Sequence, residues 1–341
     1  MELRQAWKSL RHQHPQIAAL PDQAGSRLIY TVPSYLPQSR ELLFRTPHWR
    51  TDGKGLILLQ QDFLTLLVQS SQSTLEFNGS EVARMPPSLD EATGVSLDIN
   101  DDKKRATKAE LPVLATGPAP ASISRTLPNT SPGNSRRVSV RLSKDLTVQA
   151  ALFVTVRRHL APVDGRLICF NTHNVRDRVP VPWSGSQGAS GLYHTGRPFS
   201  LDFSVNKDYN AIAAALAARY QRDLQPVFEM MPYYVQSIGA LLATPLELAI
   251  QAPGAAHPEL SSLSVIDDYL PTVHAGPSGT VEIEDWWLGA HMINRILQTY
   301  LWTREGQMYL SCHYNDAFYE QEFIKGLLEE WESVLVGELI A

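Results

Sequence analysis

His48-Trp49-Arg50-Thr51-Asp52-Gly53 brings the residue types for proton transfer together within six positions. A histidine side chain changes protonation near neutral pH, so it can take a proton from a hydroxyl or an amine. An aspartate four residues later, in a turn that contains glycine, is placed to pair with an arginine and fix the loop that holds the ring. Gly53 and Gly55 leave room for close backbone approach. A His-x-x-x-Asp-Gly string alone arises by chance on the order of a few times per hundred chains of this length. The weight therefore rests on its flanks. Before it lies the β-like run Glu41–Arg45. Behind it comes Leu56–Val68, where Leu56, Leu59, Phe63, Leu66 and Leu67 share one helical face.

Other chemistries find no support in the chain. There is no phosphate-binding glycine loop, no His-Glu-x-x-His, no paired Cys-x-x-Cys and no Gly-x-Ser-x-Gly elbow. His12 and His14 stand two apart on a helical stretch and so face different ways, which favours a solvated helix over a metal site. Thirty basic against thirty-five acidic side chains give a formal charge of −5. That balance argues against a dedicated nucleic-acid binder, which needs a basic face to meet phosphates. With only Cys169 and Cys312, a disulfide framework is excluded, and a reducing, cytoplasmic setting is expected. The first residues show no secretory leader, and no apolar run reaches the ~18–20 residues of a membrane span.

The elements that must position the motif follow from patterning. The spacing predicts an amphipathic helix over Arg4–Leu20 that is interrupted at Pro15, then a β-run at Ser26–Val32. From 79 to 137, repeated prolines among Ser, Thr, Asp and Ala predict a linker or mobile loop. Beyond it the pattern predicts helices at Leu146–His159, Asp208–Leu224 (with Asn206 as one candidate cap) and Glu320–Leu335. Strands are expected at Arg166–Asn171, Val281–Ile283, Gln298–Thr303 and Gln307–Tyr314, and a loop at Pro180–Gly196. Strands mix with helices without a regular βαβ rhythm, so the expected class is mixed α/β. At 43% hydrophobic and 19% charged residues, 341 residues suffice for two cores.

His48-x-x-x-Asp52-Gly53 resembles the active-site motif of the condensation-domain and chloramphenicol-acetyltransferase-like acyltransferases. Further stretches fall in the family's order. Leu146–His159 resembles the helix that opens the second lobe, and Asn174-Val175-Arg176 resembles the Asn-x-Arg element of plant and fungal members. Ser264–Leu270 sits where the family has its crossover strand. Thr303–Tyr319 resembles the penultimate strand and ending of fungal acetyltransferases, trichothecene O-acetyltransferases above all. There are departures. Pro47 stands where many members have a second histidine, and only the first 47 residues precede the motif, which implies a shortened first lobe. Glu284–Gly289 is a loose echo of the plant Asp-Phe-Gly-Trp-Gly motif.

The resemblance implies two chloramphenicol-acetyltransferase-like lobes around a central tunnel, here 1–78 and 138–341 with 79–137 between them. It implies transfer of an acyl group from a thioester to a hydroxyl or amine of a small, secondary-metabolite acceptor. His48 would be the base at the lobe junction. Asp52, Gly53 and Arg176 would be structural, with Arg176 the partner of Asp52. Asn174, Tyr314, Asn315 and Trp286 would line the tunnel. No metal and no bound cofactor are expected. Acyl-CoA or an acyl carrier protein would supply the thioester, with no nucleic-acid or membrane partner. Two other readings stay open: a cyclase or pericyclase of Diels–Alderase type that folds a polyene in the same tunnel, and a non-catalytic relative.

Overall fold

The computed structural model describes residues 3–18, 34–36, 41–48, 50–69, 75, 77–110, 117–129, 131–142, 148–236 and 256–340. The residues gather into two compact units, and neither is continuous in sequence. The first holds Met1–Ser96, Asn174–His194 and Val265–Trp287; the second holds Leu97–His173, Thr195–Ser264 and Leu288–Ala341. The expected division at 78 and 137 differs from this one. Local composition does not show that two later segments fold back onto the N-terminal part.

In the first unit the helix Leu3–Gln13 packs on the longer helix Gly53–Val68. Ala6 and Leu10 of the former are buried, as are Ile57, Phe63, Leu64 and Val68 of the latter. The Trp7 and Phe44 rings both meet Phe63 edge-on. The expected break at Pro15 is present: the first helix stops at Gln13, and Pro15–Ala18 continues as a 3-10 turn. Two antiparallel hairpins belong here, Ser34–Leu36 with Glu41–Leu43, and Val273–Gly276 with Gly279–Glu282. The second hairpin closes the end of the long helix, since the Ser278 N–H donates to the Val68 carbonyl at 2.9 Å. Gly276 sits so near that a Cβ there would lie 2.5 Å from the Val68 carbonyl oxygen. The β-run expected at Ser26–Val32 lies outside the described residues.

The second unit is built on a four-stranded sheet in the order Ser135–Leu142, Gln307–Asn315, Leu297–Arg304, Pro258–Val265. The central hairpin is dictated by its turn. Glu305 and Gly306 both take positive φ, 50° and 71°, between the paired residues Arg304 and Gln307. That is the two-residue turn whose twist matches antiparallel strands. The helices Val148–Arg157 and Gln321–Ile340 pack on one another and complete a core around Trp331, Phe153 and Leu310. The strand expected at Ser264–Leu270 is displaced: strand pairing ends at Val265, and Ile266–Asp268 is a 3-10 turn. Asp208, not Asn206, caps the helix Tyr209–Tyr220, accepting from the Ala211 N–H at 2.9 Å.

The tract 79–137 differs most from expectation. It carries a 3-10 turn at Ser80–Arg84 and helices at Leu89–Thr93 and Asp101–Glu110. Asn100 caps the second helix, its Oδ1 accepting from the Lys103 N–H at 2.9 Å, and two aspartates fill the first turn. The far end is anchored by charge. Glu110, 2% exposed, accepts from Arg222 at 2.9 Å and Arg219 at 3.2 Å, and Arg197 Nε lies 3.9 Å away. Proline content signalled a loop, while an ion cluster formed with distant arginines supplies the order. Replacing Glu110 by Gln leaves buried Arg197 and Arg219 without a counter-charge, which costs about 3–5 kcal/mol. Thermal denaturation of Glu110→Gln should show a melting temperature several degrees lower. An unchanged value would mean that the cluster holds nothing.

Candidate active site

The site is assembled entirely within the first unit, around Asp52. This residue precedes the helix Gly53–Val68 and has extended backbone, the geometry of an N-cap. Its Oδ1 accepts from the Gly55 N–H at 2.7 Å, satisfying one of the amides that a helix start leaves open. A single nitrogen of Arg176, Nη1, donates to both carboxylate oxygens at 2.9 Å. The Tyr193 N–H donates to Oδ2 at 2.8 Å. Asp52 and Arg176 are 5% and 4% exposed. A buried carboxylate of this kind persists because charge-assisted hydrogen bonds offset its lost hydration.

Arg176 is itself held through both terminal nitrogens. Its Nη2 donates to the Gly191 carbonyl at 3.1 Å, and Nη1 reaches Asn174 Oδ1 at 3.2 Å. Its guanidinium carbon stands 5.4 Å from the centroid of the Tyr193 ring. Asn174 is exposed and turns its oxygen back to Arg176, so it braces the arginine. Beside the pair, Thr51 Oγ1 donates to the Ala189 carbonyl at 2.6 Å. Gly55 is required by this approach, since a Cβ there would lie 2.1 Å from the Ala189 oxygen and 2.2 Å from Thr51 Oγ1. Gly53 is the first residue of the helix. The expected pairing of Asp52 with Arg176 is thus present, and the segment read as a loop at Pro180–Gly196 is what closes over it.

His48 lies on the same loop and is exposed. Its ring faces that of His194 at 5.5 Å between centroids, with the planes tilted by 40°. His194 begins the strand His194–Asp202, and its Nδ1 lies 3.9 Å from Asp52 Oδ2. Burial pushes the His194 imidazole below the ordinary histidine range. The charge of Asp52 opposes that shift, whereas those of His48 and Arg176 add to it. Lys54 is a second titratable group missed by pattern reading. Burial and the Arg176 charge push it down to about 7, against the pull of Asp268 and Asp52, and its ammonium lies over the Tyr269 ring. Lys54 adjoins the motif, but nothing in its local pattern distinguishes it from a solvated lysine. His194 lies far along the chain, and only folding brings it to His48.

The remaining expected residues have other employment. Trp286 is 7% exposed and docks on the long helix, its Nε1–H donating to Gln60 Oε1 at 2.8 Å. Tyr314 is buried in the hydrophobic core of the second unit. Asn315, fully buried, accepts from the backbone N–H groups of Gly133 and Ala317 and donates to the carbonyls of Gly133 and Met292. These bonds use its whole amide, so Asn315 is a brace with no group left for a ligand. The strand expected to be half-buried is buried on both faces from Leu310 to Asn315, and strand alternation does not distinguish a core face from a cavity wall. His14 also departs from expectation. It is buried, with Nε2 2.7 Å from Asp62 Oδ2, where a solvated helix face was expected. Among the described residues no group of three or more His, Cys, Asp or Glu is placed to hold a metal ion. Among the same residues no helix is long and apolar enough to cross a membrane.

No family model matches the chain. It is 26% identical to the acetyltransferase pigO of Monascus ruber, over 99% of this chain and 85% of that one. It is 24% identical to the O-acetyltransferase pigM of the same fungus, covering 89% of this chain and 63% of pigM. Among solved structures it superposes on the trichothecene 15-O-acetyltransferase TRI3 of Fusarium sporotrichioides with a TM-score of 0.59. That match has 16% identity and covers 84% of this chain and 64% of TRI3. The chain therefore spans less than two thirds of pigM and of TRI3, and it has the TRI3 fold.

Removing the Asp52 charge should reveal its structural role. Asp52→Asn keeps the size of the cap but strands the Arg176 guanidinium in a buried site, at a cost of about 3–5 kcal/mol. Chemical denaturation should show a lower midpoint with an unchanged slope. Full retention of stability would show that the pair contributes none.

Proposed function

We propose that this chain transfers an acyl group from a thioester, carried by coenzyme A or a carrier protein, to a hydroxyl or amine of a small secondary-metabolite acceptor, with His48 as general base. The observation that carries this reading is a division of labour on one loop. The Asp52 carboxylate is wholly committed to buried donors, while the His48 imidazole beside it stays open. Both oxygens of the carboxylate already accept from buried donors, which leaves the histidine as the open acceptor on the loop. The names borne by pigO, pigM and TRI3 support acyl transfer, with acetyl as the first group to test.

In this mechanism a ring nitrogen of His48 takes the acceptor proton as the acceptor oxygen or nitrogen attacks the thioester carbonyl. The tetrahedral adduct collapses, the carbon–sulfur bond breaks, and the leaving thiolate takes the proton from His48. The base is thereby restored. A positioned base of this kind is worth about 10²–10⁴-fold, or roughly 3–5 kcal/mol of barrier. Arg176, Asn174 and Gly55 act before the reaction, by fixing the loop that carries the ring.

The test is acyl transfer from acetyl-CoA to a panel of polyketide alcohols and amines, by wild type and His48→Ala. Wild type should release free CoA in step with acetylated product. His48→Ala should lose about 10²–10⁴-fold in kcat with its melting temperature intact. Product formed equally well without any thioester would overturn transfer in favour of a cyclisation. Full activity in His48→Ala would remove the histidine from the mechanism.

A further inference from the structure

On the reading of His48 as the base, we propose that His194 is its positioning residue: an aromatic shelf, tied through Tyr193 to Asp52, that orients the His48 ring. The ring centroids lie 5.5 Å apart with the planes tilted by 40°, within contact range of one another. His194 is fixed by its neighbour, because the Tyr193 N–H is bound to Asp52 Oδ2. The same carboxylate that anchors the catalytic loop therefore anchors the shelf. Asp52 thus sets the loop and the shelf in one frame.

Burial is the main influence on the state of His194, and the surrounding charges modify it. Facing it are the Asp52 carboxylate, the Arg176 guanidinium and the His48 ring. Asp52 and Arg176 balance each other at 2.9 Å, so little net charge remains to hold a proton on His194. Its Nδ1 is buried and makes no hydrogen bond, and Asp52 Oδ2 stands 3.9 Å off, within ion-pair range but beyond hydrogen-bond reach of an N–H. When His48 takes the acceptor proton, it meets a neutral neighbour. Had His194 been charged, two like charges would stand a few ångström apart and His48 would be a weaker base.

Three variants separate this role from its rivals. His194→Phe keeps an aromatic shelf and removes titration, His194→Ala removes the shelf, and His194→Arg installs a permanent cation. His194→Ala should lose about tenfold or more in kcat with little change in KM for acetyl-CoA, the scale of a misplaced catalytic group. His194→Phe should restore most of that loss. In His194→Arg the acid limb of the pH–rate profile should move to lower pH by about one unit or more, because the cation disfavours protonated His48. Imidazole NMR titration, assigned with His48→Ala, reads the same coupling without turnover. The His48 midpoint should fall in His194→Arg and stay put in His194→Phe. A His48 midpoint indifferent to His194→Arg, or unchanged kcat in His194→Ala, overturns the shelf. Loss of all activity in His194→Phe overturns it too, by making His194 itself a base. A coupled titration in a wild type that transfers no acyl group overturns the transfer reading and leaves the ring pairing standing.

Discussion

One carboxylate, that of Asp52, is the convergence point of the first unit. Its two oxygens accept from the helix start at Gly55, from the guanidinium of Arg176 and from the amide of Tyr193, three groups that no local rule brings together. Taking a carboxylate out of water costs several kcal/mol, and only a nearly complete set of donors offsets that. The requirement is therefore strict. If the Arg176 segment moves away, Asp52 is left a buried and unpaired charge, and if either amide moves away the carboxylate loses a donor it needs. The close approach that Gly55 permits to Ala189 follows from the same constraint, since a side chain at that position would push the segment off the helix start.

This arrangement separates holding from reacting. Thr51, Asp52, Gly55, Asn174 and Arg176 spend their polar groups on one another and on backbone carbonyls, so none offers a free base. What they hold is a short stretch of backbone with an open histidine at its end. The second unit shows the same economy in another form. Asn315 uses its amide to tie Gly133 to Met292, and Glu110 gathers three arginines around a helix end. Charge and amide chemistry in both units serves mainly to join segments distant in sequence.

How much of this was legible beforehand depended on the range of the interaction. Helix Gly53–Val68 is readable because its apolar face and its Asp52 cap are local, and the hairpin at Glu305-Gly306 because its strands alternate up to the turn. The pairing of Asp52 with Arg176 was reached through the order of motifs, since nothing near either residue specifies the other. The helices in 79–137 were missed although Ser88 and Glu91 form a capping signature, the Ser88 N–H donating to Glu91 Oε2. Seven prolines across the tract point the other way. Glu110 carries no local signal, because its arginines lie some hundred residues on. His194 had no signal at all. A histidine at the end of a glycine-rich loop gains meaning only when folding sets it against His48.

The central claim is that a single carboxylate joins the helix start to the distant segment and thereby fixes the loop of His48. Amide hydrogen exchange of Gly55 and Tyr193 tests it most directly, because both N–H groups end on Asp52. The account predicts that both exchange slowly in the wild type and that Arg176→Met raises both rates together. The histidine ring contact of residues 48 and 194 should be lost in the same variant. Fast exchange at either amide in the wild type, or protection that survives Arg176→Met unchanged, would contradict it.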